Sequence, residues 1–318
     1  MLEQLGRRLA TRRVRVTALV ALAALVLGSV TVGFFLRRHS TVPDPAGLSL
    51  VSRGHDISSD RPGPRNSGAR VAAFQEWPGT NHVVNSATSN RVISGYHFTG
   101  TFQFSGDGLA FDDCLFDGGL ILRGNDVSVR HSTFVGGGLH MSGNGNATLE
   151  ALNISGFSDG IQIFSDTGQP QNIVVKDNWL HDPTPSNGAH ADGMQVKGAH
   201  ALTVSHNVID MGAWVVIPGG DLNSAILIDA PGPPSWKVVT ANTDVVITDN
   251  WLNGAGFTVR LGNPNPGNVT LTNNRFGRDA HWGLFLDHTK GAVPLQQAFG
   301  NVWADTQQPV PSVPIVNG

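Results

Sequence analysis

The sequence predicts an all-β solenoid, because a short unit of strand-like runs recurs along most of its 318 residues. In each copy a hydrophobic anchor follows a polar turn, at intervals that range from 18 residues (98 to 116) to 43 residues (209 to 252). Intervals of this order mark solenoids and repeat arrays. The anchors are Phe98, Phe116, Phe134, Ile154, Leu180, Ile209, Leu252, Phe276 and Trp303.

Each unit contains two strand-like runs. In residues 173–198 the run from Ile173 to Val175 leads into a polar turn, a loop follows, and a second run from Met194 to Lys197 closes on Gly198. The second run alternates with period two in every copy, so we expect two strands per unit with one face directed inward. The predicted inward residues are Leu120, Leu122, Leu139, Met141, Ile161, Ile163, Met194, Val196, Ile226, Ile228, Leu284 and Leu286.

Two residues before most anchors lies a small or polar residue that suits a tight or left-handed turn. These residues are Cys114, Ser132, Asn178, Asn207, Asn250, Asn274 and Asn301. Asparagines stacked coil over coil are expected to form a hydrogen-bonded ladder. Cys114 at this position is interpreted as a small buried residue rather than a reactive thiol, and a single cysteine excludes an intramolecular disulfide framework.

The repeat pattern from Arg91 to Ala304 resembles the single-stranded right-handed parallel β-helix of the pectate-lyase-like superfamily. Two stretches, 158–160 (Ser-Asp-Gly) and 191–193 (Ala-Asp-Gly), are similar to part of the polygalacturonase motifs, and 285–288 (Phe-Leu-Asp-His) is similar to a pectate lyase motif. The other motifs of both branches are missing. The resemblance therefore implies the fold and a polysaccharide ligand, and it supplies no catalytic residues.

The amino-terminal region predicts a transmembrane helix. Residues 17–36 form an uncharged run, long enough at about 1.5 Å per residue to cross a hydrocarbon core of about 30 Å. Five arginines precede the run, so the positive-inside rule predicts a cytoplasmic stub at residues 1–16 and an extracellular β-helix. Because no small-residue cleavage site follows, an uncleaved signal anchor is favoured over a secreted form.

Residues 37–70 are rich in Pro, Ser, Gly and Arg without periodicity, and we interpret them as a flexible linker. The β-helix domain is predicted at residues 71–318, with residues 71–103 as the cap of the open end. The net charge of −3 lacks the basic footprint of a nucleic-acid binder. We expect a monomer.

Outward residues of the second run are expected to stack in two files, because equivalent positions in successive coils lie about 4.8 Å apart. One file ends in alternating charges, at Lys197, Asp229, Arg260 and Asp287. This alternation predicts either an ion-pair ladder or the catalytic base and charge-neutralising groups of a uronate lyase, namely Lys197 and Arg260. Neighbouring Asp229 would raise the pKa of Lys197 and make that lysine a poorer base.

Asp159 and Asp192 each precede the glycine that opens the second run, so we expect them to project side by side. Such a pair predicts turn caps, a shared proton, a retaining-glycosidase pair, or a cation between the carboxylates. His190 is a candidate proton carrier, and Asp182, next to His181, is a candidate further ligand. An all-oxygen site would suit a divalent cation such as Ca²⁺, whereas histidines would favour a transition metal.

Candidate substrate-binding residues are the outward Gln162, Gln195 and His140, with Trp214 and Trp236 in the longer loops. Long loops grouped on a rigid scaffold commonly form binding sites. The sequence therefore favours an extracellular β-helix that binds a polysaccharide and cleaves it as a lyase or a glycoside hydrolase. The alternative is a non-catalytic surface module that binds glycan or protein.

Overall fold

The computed structural model describes residues 61–85, 89–165, 167–218, 220–229, 241–262, 268–287, 295–310 and 316–317. These residues form strands, turns and loops, and none of them lies in a helix. Strands of successive coils pair in parallel, and each coil adds a strand to each of three sheets. The described part of the chain is thus a parallel β-helix.

The first sheet has ten strands within the described residues. They are β1 (Gln75–Glu76), β4 (Tyr96–Thr99), β7 (Leu115–Asp117), β10 (Thr133–Val135), β13 (Asn153–Ser155), β16 (Trp179–His181), β19 (Val208–Asp210), β23 (Trp251–Asn253), β26 (Arg275–Phe276) and β29 (Val302–Trp303).

The second sheet has eleven described strands. Ten pair in coil order: β2 (Val83–Val84), β5 (Phe102–Phe104), β8 (Leu120–Leu122), β11 (Leu139–Met141), β14 (Ile161–Ile163), β17 (His190–Lys197), β21 (Gly220–Asp229), β24 (Phe257–Leu261), β27 (Gly283–Asp287) and β30 (Val316–Asn317). The short strand β20 (Val216–Ile217) pairs antiparallel with β21.

The third sheet has nine strands among the described residues. They are β3 (Val92–Ser94), β6 (Ala110–Asp112), β9 (Val127–Arg130), β12 (Ala147–Glu150), β15 (Gln171–Lys176), β18 (His200–Ser205), β22 (Thr243–Thr248), β25 (Val269–Thr272) and β28 (Leu295–Phe299). The unit therefore contains three strands, not the predicted two. A sharp turn at Asp177, with φ of 60°, separates β15 from β16, which the sequence pattern had merged.

The asparagine ladder is present. Asn178, Asn207, Asn250, Asn274 and Asn301 are buried, and each of the first four donates its side-chain amide to the side-chain oxygen of the next. The left-handed backbone lies one residue earlier than predicted, at Asp177, His206, Asp249 and Asn273. The ladder residue itself turns its amide inward, where it satisfies buried backbone carbonyls.

Cys114 is buried as predicted, and burial raises the pKa of its thiol to about 11.

The core is one continuous apolar stack inside the coils. The rings of Phe98, Phe116 and Phe134 stack from coil to coil at centroid distances of 4.8 and 4.6 Å. The residues predicted to point inward from Leu120 to Ile228 are all buried. Hydrophobic side chains from all three sheets meet in this core, and their burial stabilises the fold. The side chains on the outer faces of the sheets are therefore available for binding.

The predicted inward positions Leu284 and Leu286 are wrong by one residue. Phe285 pairs with inward Val259 and packs edge-on against Phe276 at 5.2 Å, while Leu286 pairs with outward Arg260. Because side chains alternate along a strand, a slip of one residue exchanges the two faces. The ring of Phe285 belongs to the core, whereas half-buried Leu284 packs against that core and buried Leu286 lies outside it.

Residues 61–70 lie across the first-sheet side of the coils, and we call them the strap. Its hydrogen bonds step from coil to coil against the chain direction: Ser67 to Asp177, Gly68 to Ala151, Ala69 to Thr133 and Arg70 to Asp113. We predicted a flexible linker at residues 37–70. Residues 61–70 instead belong to the folded unit, because their hydrogen bonds join them to the coils. Residues 37–60 lie outside the described residues.

The predicted stub (residues 1–16) and transmembrane helix (residues 17–36) also lie outside the described residues. Within the ranges that the structure describes, no helix is long and apolar enough to cross a membrane.

Candidate functional site

The outer face of the second sheet carries a file of side chains in register. Gln162 lies opposite Gln195, Gln195 opposite Leu227, and Leu227 opposite Arg260. The predicted charge ladder therefore does not continue beyond Asp229, because Arg260 occupies the position expected for Thr258 rather than the one beside Asp229. Thr258 is buried instead, and its hydroxyl donates to the carbonyl of Gly254 at 3.4 Å.

Asp159 and Asp192 lie in adjacent coils, as predicted, at the entrance to the second-sheet strands. The backbone N–H of Asp192 donates to Oδ1 of Asp159 at 3.0 Å, and the side-chain amide of Gln162 donates to Oδ2 at 3.0 Å. Asp159 therefore caps the turn of the next coil and keeps a half-buried carboxylate at the surface. Part of the turn-cap interpretation thus holds for Asp159.

Asp192 lies in a different environment, with 0% of its surface exposed. Its Oδ1 accepts hydrogen bonds from the Ser224 hydroxyl and from the Asn223 side-chain amide, the latter at 2.9 Å. Its Oδ2 lies 3.4 Å from the amide nitrogen of Gln195. Asp192 is thus bonded on both oxygens by side chains from its own coil and the next.

Asn223 and Ser224 reach Asp192 because of a β-bulge. The register between β17 and β21 shifts at Ala191 and Asp192, and Asn223 is the extra residue between Leu222 and Ser224. Bulges commonly re-aim side chains next to functional sites. The Asn223 oxygen also accepts a hydrogen bond from Nη1 of Arg260. We call Asp159, Asp192, Asn223, Ser224 and Arg260 the carboxyl cluster.

The carboxyl cluster shifts the pKa of both aspartates upward. Burial, and to a smaller extent the charge of Asp159, raises the pKa of Asp192 to about 8. The hydrogen bonds from Ser224 and Asn223 and the charge of Arg260 act in the opposite direction and lower this pKa. Burial also raises the pKa of Asp159, opposed by the Asp192 N–H and by Lys197. Asp192 therefore keeps its proton at neutral pH, because desolvation disfavours its charged form.

The histidines and Asp182 do not join this cluster. His190 is hydrogen-bonded to Asp221 through Nδ1 at 2.8 Å and is exposed. His181 contacts Asp182 at 2.7 Å and Asn153 at 2.9 Å on the first sheet. The proposed ligand set of Asp159, Asp192 and Asp182 is thus not assembled. No group of three His, Cys, Asp or Glu side chains that could hold a metal occurs among the described residues.

The other predicted residues of this face surround an aromatic ring. The Lys197 ammonium lies 5.7 Å from the Phe164 ring centroid, and the His140 ring lies 4.1 Å from the same ring. Lys197 pairs in register with Asp229, as predicted. Gln162 and Gln195 are hydrogen-bonded to each other at 3.4 Å. Lys197 and Arg260 lie in different files, so they do not form a base and charge-neutralising pair in direct contact.

Trp214 stacks on His281 at a centroid distance of 4.3 Å, whereas Trp236 lies outside the described residues. The sequence analysis missed Asn223 and Ser224. The feature that distinguishes these two residues is the length of their strand. Strand β21, at residues 220–229, is longer than the other second-sheet strands and has an extra residue before its alternating part.

The family described as a right-handed β-helix region matches residues 79–226. No curated protein matches the chain, and no solved structure matches it either. The matched residues run from the first described strands of the second sheet to the carboxyl cluster in β21. The family match and the three parallel sheets together identify the chain as a right-handed parallel β-helix protein.

Proposed function

We propose that the protein binds a polysaccharide along the outer face of the second sheet and hydrolyses it at the carboxyl cluster. The observation that carries this proposal is the difference between two neighbouring carboxyl groups. Asp192 is fully buried and keeps its proton at neutral pH, and half-buried Asp159 is the more acidic of the two. A carboxyl group with a raised pKa beside a second, more acidic carboxyl group is the usual machinery of glycoside hydrolysis.

In this proposal Asp159 is the carboxylate that contacts the sugar, and Asp192 is the proton donor of the pair. Gln195 covers Asp192 through a long contact of 3.4 Å. A substrate that displaces the side chains of Gln162 and Gln195 would uncover the acid at the moment of binding. Asn223 donates a hydrogen bond to Asp192 and accepts one from Arg260. Arg260 and Asn223 together therefore hold the Asp192 side chain in place.

Hydrolysis is favoured over β-elimination by the positions of the basic residues. A uronate lyase needs a base beside a neutralised carboxylate. Lys197 lies over Phe164 and opposite Asp229, two coils and one file away from Arg260. This separation argues against Lys197 and Arg260 acting on the same sugar carbon.

The second candidate function is a non-catalytic glycan-binding module. It is favoured by the complete burial of Asp192 and by the turn-capping bond that Asp159 accepts. In that case both aspartates stabilise the coils, and half-buried Gln162, Gln195 and Lys197 contact the glycan.

The test incubates the full chain with a panel of neutral and acidic polysaccharides and measures new reducing ends and ultraviolet-absorbing unsaturated products. We expect reducing ends without that absorbance, and we expect Asp192→Asn and Asp159→Asn each to abolish them. Asp107→Asn is the matched control. Like Asp159, Asp107 accepts a hydrogen bond from a backbone N–H of the next coil, at 2.7 Å, but it lies in coils far from the carboxyl cluster. Ultraviolet-absorbing products would instead indicate a lyase. Glycan binding without products would support the non-catalytic module.

A further inference from the structure

An aromatic cluster adjoins the carboxyl cluster, and we call it the aromatic shelf: Trp214, Phe257, His281 and Trp282. Trp214 follows β19, Phe257 opens β24, and the other two directly precede β27. The Trp282 ring lies 4.9 Å from Trp214 and 5.5 Å from Phe257, between ring centroids. The shelf thus joins side chains from three successive coils.

Glycine in the middle coil makes room for the shelf. A Cβ atom on Gly256 would collide with the ring of Trp282. The backbone of this segment is also fixed, since the N–H of Trp282 donates to the carbonyl of Gly256 at 2.9 Å and that of His281 to Ala255 at 3.0 Å. The Trp282 indole is therefore held against the backbone of Gly256.

Part of the shelf is exposed despite this rigid support: Trp282 and His281 are exposed, whereas Trp214 is half-buried and Phe257 is buried. The exposed fraction of Trp282 is 49%, and the residues that follow Trp214 in the chain, Val215 and Val216, are exposed to 49% and 61%. Grouped, exposed apolar side chains on a soluble fold mark binding surfaces. Exposed His281 adds a polar group at the edge, with its ring 5.2 Å from that of Trp282.

The shelf is continuous with the carboxyl cluster. Phe257 pairs in register with Ser224, whose hydroxyl is bonded to Asp192. The N–H of Gly256 donates to the carbonyl of Leu222 at 2.8 Å, next to Asn223 in the chain. A chain-like ligand that reaches Asp159 and Asp192 therefore meets the shelf on the neighbouring coils.

We propose that the aromatic shelf is a ring-stacking subsite, in which the Trp282 indole packs against the C–H face of a pyranose ring of the bound glycan. The identity of the ligand as a glycan rests on the proposed function. A pyranose offers one apolar face and a rim of hydroxyls, which fits a flat exposed indole with a histidine at its edge. Trp214 and Phe257 support the indole from the two preceding coils.

The test compares the full chain with Trp282→Ala and Trp282→Phe, using glycans of the panel above in affinity gel electrophoresis and calorimetry. We expect Trp282→Ala to weaken binding about tenfold, which corresponds to the upper range for one aromatic contact. Trp282→Phe keeps a ring and should recover most of the affinity. Trp179→Ala is the control, because Trp179 is a half-buried indole on the first sheet, stacked on His181 at 3.5 Å.

Hydrolysis kinetics separate this inference from the proposed function. Because Trp282 does not contact the carboxyl groups, Trp282→Ala should raise KM about tenfold and leave kcat nearly unchanged. Unchanged affinity in Trp282→Ala, or an equal loss in Trp179→Ala, would overturn the subsite even if Asp192→Asn abolishes hydrolysis. Conversely, a loss of binding in Trp282→Ala for a glycan that is never cleaved would support the subsite and refute hydrolysis. A wild-type chain that binds no glycan would overturn both.

Discussion

The side-chain oxygen of Asn207 accepts two hydrogen bonds from Asn178, one from its side-chain amide at 2.8 Å and one from its backbone N–H at 3.0 Å. Both residues have 0% of their surface exposed. Asn207 in turn donates to the side-chain oxygen of Asn250 at 2.9 Å. One asparagine thus satisfies polar groups of three coils inside an otherwise apolar core.

This relationship predicts that Asn207→Ala is strongly destabilising. The substitution leaves buried donors and acceptors of two neighbouring coils without partners, and each such group costs about 1–3 kcal/mol. We expect the free energy of unfolding to fall by at least about 3 kcal/mol, measured by urea denaturation. Gln171→Ala, at an exposed position of β15, is the control and should change stability by less than about 0.5 kcal/mol. Equal effects of the two substitutions would contradict the ladder.

The second prediction tests the register of β27. Phe285 is buried in the core against Phe276, whereas Leu284 is only half-buried. Phe285→Ala should therefore cost about 3–5 kcal/mol of unfolding free energy. Leu284→Ala, measured in the same denaturation experiment, should cost clearly less. The reverse order would restore the register predicted from the sequence.

The third prediction concerns the pH dependence of stability. The pKa of Asp192 is raised from 3.8 to about 8 in the folded protein, so folding retains a proton that the unfolded chain loses. Stability from this group is therefore fully present below pH 3.8 and is lost as pH rises through about 8. Asp192→Asn removes this pH-dependent loss of stability. Between pH 3.8 and about 8, the melting temperature of the variant should therefore fall less than that of the wild-type chain.

Part of the slope should persist in Asp192→Asn, because burial also raises the pKa of Asp159 and of Asp210. Asp107→Asn serves as the control and should follow the wild-type curve of melting temperature against pH. A parallel shift of the whole Asp192→Asn curve, with its slope unchanged, would show that Asp192 does not carry the buried proton.

The fourth prediction concerns the strap. The Arg70 guanidinium bonds Asp113 at 3.0 and 2.7 Å, and these bonds hold the pKa of Asp113 below its ordinary value. A lowered folded pKa contributes stability above the unfolded pKa and loses it as pH falls. Arg70→Ala should therefore lower the melting temperature more at about pH 7 than at about pH 3.

Arg65→Ala is the matched control for the strap, because Arg65 is an exposed arginine of the same segment. Its melting temperature should stay close to wild type at both pH values. If Arg70→Ala behaved like Arg65→Ala, the Arg70 side chain would contribute little to the stability of the folded unit. The contacts with Asp113 would then be incidental to stability.

Much of the fold could be predicted from the sequence because it depends on local periodicity. Alternating side chains such as Leu139 and Met141 mark an inward face wherever they occur, and a polar residue two positions before an anchor marks the corner. The third sheet was missed because one left-handed residue, such as Asp177, bends the chain without interrupting the apolar pattern. Conformation at a single residue leaves little trace in hydrophobic spacing.

The sequence by itself determined the coil repeat, the asparagine ladder, most of the core and the adjacency of Asp159 and Asp192. Only the tertiary structure decided which side chains surround Asp192, because the bulge at Asn223 and the register of β24 depend on pairing between coils. Likewise, the contacts of Arg260 with Asn223 and of the strap with Asp113 join residues far apart in the chain. A repeat fixes which residues are equivalent, but the packing of each coil on the next fixes the register, and a shift of one residue exchanges core and surface.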